Sequence, residues 1–172
     1  NTMNTADPFY DAEMAYYNKT LPQIMLVQKK FLKALTKSPH RSRLEERFGS
    51  QVFRLAEAEQ RIMNLWVIPQ MIREANLSSQ YKKLVASCKA DFHGEVCNFY
   101  GLLKQMENPD RTIRRDAFVV WSGLYKQIEN RLDKLYDKLI AARTAKAKRL
   151  GFASFTELAY LDRHRFDYSQ ND

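Results

Sequence analysis

The 172-residue chain is predicted to be mainly α, a helical bundle with one long helix and a small antiparallel β-hairpin. Three observations predict this. Apolar residues recur at spacings of three, four and seven over most of the chain. Only five Gly and five Pro punctuate it, which leaves room for long regular elements. One stretch, near residues 83–103, switches to an alternating pattern.

Over residues 11–36, Met14, Leu21, Ile24, Met25, Phe31, Leu32 and Leu35 carry a helical pattern, with Pro22 marking a boundary or an early helix position. In "KSPHRSRLEERFG", Ser38 is the expected cap, Pro39 the first helical residue and Gly49 the stop. A further helix spans about residues 51–75, kinked or broken at Pro69.

Leu84, Ala86, Cys88, Ala90 and Phe92 alternate with polar residues, apart from Val85. His93-Gly94 forms a two-residue turn, since Gly accepts a positive φ and His tolerates it. That turn pairs Phe92 with Glu95, Ala90 with Cys97, Cys88 with Phe99, Ala86 with Gly101 and Leu84 with Leu103, all on one face. Cys88 and Cys97 are then diagonal neighbours and are expected as two buried thiols.

Asp110 caps the next helix. From Ile113 through Ala117, Val120, Leu124, Ile128, Leu132, Leu135, Leu139 and Ala142 the steps are three or four. This predicts one helix of about forty residues, ~60 Å long. Lys146, Lys148 and Arg149 favour its last turn, and Gly151 ends it. Ser154 to Glu157 is a capping box that opens a short helix. Residues 1–10 are expected to be a disordered or cloning-derived N-terminus, ahead of a helical domain over residues 11–172.

Apolar and aromatic content (45% and 12%) argues against disorder. The net charge is +8 with a pI near 9.5. Residues 111–150 hold eleven Lys/Arg against four Asp/Glu, so this one segment carries a surplus of seven. The aromatics there fall on the apolar stripe rather than among the cations. The run therefore reads as a solvated helix face, and no nucleic-acid partner is expected. The first residues lack a basic start and an apolar run, and Ile24–Val27 is too short to span a membrane. With two cysteines and no secretory signal, a cytoplasmic protein without a membrane partner is expected.

His40, His93 and His164 are the only histidines, and no H-E-x-x-H, Gly-rich phosphate loop or four-ligand metal spacing occurs. No catalytic, cofactor-binding or metal residue is predicted in this chain. The cluster singled out is "RHRFDY". Arg163, Arg165, Asp167 and Tyr168 can form a charged, hydrogen-bonding knot that anchors the short helix. The competing use is contact with a peptide carboxylate or carbonyl, to which Arg is suited. The candidates for that role are Arg163, Arg165 and Tyr168.

The segments "SPHRSRLEERFGSQVF", "LSSQYKKLVAS", "FHGEVCNFYGL", "DRTIRRDA", "LDKLYDKLIAARTAKAKRLGFASFTELAY" and "RHRFDY" stand in an order that resembles the N-terminal part of an oligoendopeptidase F-type zinc metallopeptidase, of the thimet/oligopeptidase family. The resemblance covers roughly residues 38–168. It implies the front portion of an enzyme whose catalytic domain, with H-E-x-x-H and zinc, is absent here. This chain binds no zinc on that view, forms a helical wall of a channel admitting short peptides, and is inactive alone. Asp162 departs from the family, where a residue without negative charge is expected. The alternative is a stand-alone helical protein-interaction module without catalytic activity. Trp121, Leu124, Tyr125, Tyr136 and Ile140 widen the apolar face of the long helix, and self-association through it or through the hairpin edge is expected.

Overall fold

The computed structural model describes residues 7–172. Its elements are α1 (Pro8–Thr36), α2 (Arg41–Phe48), α3 (Gln51–Ile62), a 3₁₀ turn (Leu65–Val67), α4 (Ile68–Ser87), β1 (Ala90–Phe92), β2 (Glu95–Cys97), α5 (Phe99–Gln105), α6 (Arg111–Arg149) and α7 (Phe155–Asp162). The chain is mainly helical with one small hairpin. α1 begins at Pro8, three residues ahead of the expected start; residues 1–6 lie outside the described residues. Two compact units are distinguished, one of residues up to Glu13 with Asn76–Leu139, the other of Met14–Ala75 with Ile140–Asp172.

In the first unit the core is Leu84, Cys88, Phe92, Cys97, Phe99, Leu102, Ala117, Leu124 and Ile128. The hairpin is real but shorter than expected. Ala90 pairs with Cys97, Asp91 with Val96 and Phe92 with Glu95, in the expected register. His93 (φ 53°) and Gly94 (φ 85°) both take the left-handed region, as the tight hairpin turn requires. The outer pairs do not form, because Leu84 and Ala86 belong to α4 and Phe99, Gly101 and Leu103 to α5. Leu77 and Leu84, seven apart, fall on one helical face, with Cys88 buried just past the helix end, and that spacing wins over the accidental alternation. Asn98 then starts α5 by accepting the Gly101 N–H at 2.9 Å. Cys88 and Cys97 are free, buried thiols; burial pushes the Cys88 thiol up, against the pull of the Arg131 charge.

The second unit buries Ile62, Ala147, Phe152 and Leu158 as one cluster, with Leu150, Phe155 and Leu161 against it. Phe53, Met63 and Val67 are also inside. α1 runs through Pro22, which is buried and bounds nothing. Residues 14, 18, 21, 25, 29, 32 and 36 form the half-buried side. That side stays in phase across Pro22, so packing offsets the lost helical hydrogen bond. Ile24 and Phe31 face outward instead. Ser38 is not the cap of α2: its hydroxyl accepts the His40 N–H at 3.2 Å, and α2 opens at Arg41. Gly49 does end α2. α3 stops at Ile62 because Met63 is extended and Asn64 caps the next turn, accepting from Trp66 and Val67. Pro69 sits in the first turn of α4, where no N–H is needed.

α6 is continuous over 39 residues. Asp110 caps it, accepting the Thr112 N–H at 2.7 Å. At its end Gly151 (φ 83°) permits the paired bonds Phe152 N–H to Ala147 and Gly151 N–H to Lys148. This is a Schellman turn, and Phe152 packs back on Ala147. Leu124 is buried, and Trp121 and Tyr125 pack on the first unit's core, so only Tyr136 and Ile140 of the expected face remain exposed. No helix is long and apolar enough to cross a membrane among the described residues.

α7 opens on the Ser154 half of the expected box, while Glu157 reaches one residue further back than the cap. The Ser154 hydroxyl accepts the Glu157 N–H at 3.2 Å, and Glu157 accepts from the Ala153 N–H at 3.1 Å. Ser154→Ala is expected to lower stability by about 1 kcal/mol, read from the shift in urea midpoint at unchanged slope. No shift at all would mean that the cap does not hold α7 in solution.

Candidate functional site

The "RHRFDY" segment follows a second Schellman turn, at the end of α7. The Arg165 N–H reaches Tyr160 O and the His164 N–H reaches Leu161 O, both at 2.9 Å. The left-handed position is filled by His164 (φ 55°), not by Gly. A non-glycine residue there costs ~1–2 kcal/mol. The cost is offset in part by what the ring touches: His164 Nε2 lies 3.2 Å from Glu59 Oε1 on α3.

The structure redistributes the expected knot. Asp167 does not pair with its arginine neighbours; it accepts from Arg54 Nη2 at 3.4 Å. Arg54 also stacks over Phe166, 4.8 Å from the ring centre. Arg54 and Arg61 stand seven apart on α3, and Arg61 stacks over Phe152. α3 therefore clamps both ends of the C-terminal segment through ring and charge contacts. Arg54, Glu59, Tyr160 and Phe166 were not among the expected participants. The heptad spacing of Arg54 and Arg61 was the available signal.

Arg165 and Tyr168 do meet. The Arg165 guanidinium sits 5.1 Å from the Tyr160 ring and 5.7 Å from the Tyr168 ring. Those two rings pack edge to face at 5.7 Å. Arg165 is half-buried, and among the described residues no carboxylate or carbonyl takes its side-chain N–H groups. Its orientation is set by aromatic faces while its donors stay available. Arg163 is exposed, and no described side chain pairs with it.

A second charged cluster joins the start of α4 to the end of α6. Glu74 accepts from Arg143 Nε at 2.7 Å and from Lys146 Nζ at 3.0 Å. Both cations also lie over the Phe155 ring. Burial pushes the Glu74 carboxyl up, but the Arg143 hydrogen bond and the Lys146 charge outweigh it and hold the group below the usual glutamate range. This is an anchor with its charges satisfied, not a reactive centre.

For a metal the fit is poor. His40 precedes α2, His93 sits in the hairpin turn and His164 follows α7. Among the described residues no three His, Cys, Asp or Glu side chains are grouped to hold an ion. No step through zinc is derived for this chain.

The Peptidase M3 N-terminal domain family matches residues 1–63. That match includes the residues expected to be an extraneous N-terminus. No curated protein matches the chain. Solved structures do, over 98% of its length. A protein assigned as oligoendopeptidase F from Bacillus anthracis str. Ames is 36% identical at a TM-score of 0.89. The chain belongs to the M3-type oligoendopeptidases. It corresponds to their N-terminal portion. PZ peptidase A with an inhibitor gives 36% identity and 0.89, and another oligoendopeptidase F structure 36% and 0.90. The chain spans 30–31% of the length of these relatives. Kinship at this level answers the alternative of a helical module with no enzyme ancestry.

Proposed function

We propose that this M3-type portion forms a wall of the substrate channel of a cytoplasmic, zinc-dependent oligopeptide endopeptidase, and that zinc and catalysis belong to a separate catalytic portion. Within the wall, Arg165 and Tyr168 contact the peptide, and the exposed Arg163 adds positive charge beside them. The observation that carries this is the Arg165 guanidinium. Two tyrosine rings hold it, and its donors are uncommitted among the described residues. Such a group takes a carboxylate or a carbonyl in a fork geometry. The absence of H-E-x-x-H from the 172 residues supports a catalytic centre elsewhere.

The test compares two proteins on a quenched peptide. The 172-residue chain alone should give no turnover, with or without added zinc. The same chain joined to an M3 catalytic portion should give zinc-dependent turnover. In the joined protein Arg165→Ala should raise KM about tenfold or more, the loss of a charge-assisted bond of ~1.5–3 kcal/mol. Zinc-dependent cleavage by the lone chain, with host peptidase excluded by a mock preparation, would refute the reading. An unchanged KM would remove Arg165 from the peptide path.

A further inference from the structure

α1 carries an apolar strip on the side turned away from its packed face. Tyr16, Ile24, Val27 and Phe31 are each more than half exposed. The strip spans sixteen residues from first to last, a rise of ~22 Å, about four helical turns. Beside it lies a groove of about 560 Å³, lined by Leu26, Val27 and Leu65 with Lys30 and Lys33 at its rim. Leu65 and its neighbour Trp66 are 66% and 76% exposed. Among the described residues no carboxylate pairs with Lys30 or Lys33. Large apolar side chains exposed together beside a groove mark an interface.

We propose that this face docks an amphipathic helix, with carboxylates beside its apolar stripe, supplied by the catalytic portion of the enzyme. The source of the helix rests on the function proposed above. Ile24, Val27 and Phe31, three and four residues apart, suit a helix, which presents the same spacing in return. The lysine rim selects acidic flanks. The matched relatives are about three times as long as this chain, and the chain aligns to them over 98% of itself, so more than half of such a protein lies outside the matched part and is available to supply the covering helix. A second copy fits poorly, since it brings Lys30 and Lys33 against an equally basic rim on a chain of net charge +8.

Trp66, the exposed chain neighbour of the groove-lining Leu65, serves as the reporter. In a Trp121→Phe background its acrylamide quenching is compared between the 172-residue chain and the chain joined to a catalytic portion. Wild type and Trp66→Phe, run in parallel, give the same signal by difference, so the result does not depend on how Trp121→Phe folds. Quenching should fall about threefold or more on joining, as water is excluded. Lys30→Glu with Lys33→Glu should restore it. A joined protein that cleaves peptide while Trp66 stays fully quenchable overturns the docking and leaves the peptidase reading standing. Trp66 protection in a joined protein that never cleaves does the converse. Protection of the lone chain that grows with concentration and is lost in Ile24→Glu identifies a second copy as the occupant, and also overturns the proposal.

Discussion

Phe99→Ala is expected to lower stability by about 3–5 kcal/mol, whereas Tyr100→Ala, one residue on, should change it by less than about 0.5 kcal/mol. Both are aromatic, and both lie in the first turn of α5. They differ in where the backbone aims them. Phe99 is 4% exposed and Tyr100 79%. The Phe99 ring meets Tyr125 at 4.4 Å and the edge of Trp121 at 6.1 Å. Removing it opens a void among Leu84, Cys88, Leu102 and Leu124, which the hairpin and two helices cannot all close upon. Urea denaturation of the two variants, followed by far-UV dichroism, checks this. Equal losses would mean that the first unit is not packed around Phe99.

Glu74→Gln should cost about 2–4 kcal/mol near neutral pH, somewhat less than breaking a fully buried pair. Its carboxylate serves two cations. With the charge gone, Lys146, whose side chain is only 13% exposed, keeps its charge without a counter-ion. The amide can still accept a hydrogen bond from Arg143, but not the attraction.

The pH dependence of that cluster has a definite sign. The folded-state pKa of Glu74 is lowered, because the Arg143 bond and the Lys146 charge together outweigh the burial that raises it. A lowered carboxyl contributes stability that is complete above the unfolded glutamate value and is lost as pH falls through the folded value. The stability gap between wild type and Glu74→Gln should therefore shrink as pH is taken from about 6 to about 3. A gap that stays constant over that range would show that the carboxylate is not coupled to folding.

Helix existence was legible wherever a cap and a period agreed. Asp110, the three- and four-residue steps from Ile113 to Ala142, and Gly151 define α6 through purely local chemistry, and the helix found is 39 residues long. The inner hairpin was legible for the same reason: His93-Gly94 fixes the turn, and the turn fixes the register of Phe92 and Ala90. Its extension to Leu84 and Leu103 was not, because a short apolar run satisfies both periods. The choice belonged to Leu77, which shares one helical face with Leu84.

The sequence by itself determined the helical class, the tight turn, the caps at Asp110 and Ser154, the stops at Gly49 and Gly151, and an order of segments that resembles one peptidase family. These are properties of a few adjacent residues, whose hydrogen bonds close within a turn or two. Only the tertiary structure decided that α1 continues through Pro22, which side of α1 is left uncovered, and that Asp167 joins Arg54 rather than its own neighbours. It also decided that Arg165 lies against Tyr160 and Tyr168 with its donors uncommitted. Those outcomes turn on partners as far apart as 113 residues, and no local period records them. The strength of a charge or the burial of a ring is set by what packs over it, and that is known only once the chain has folded.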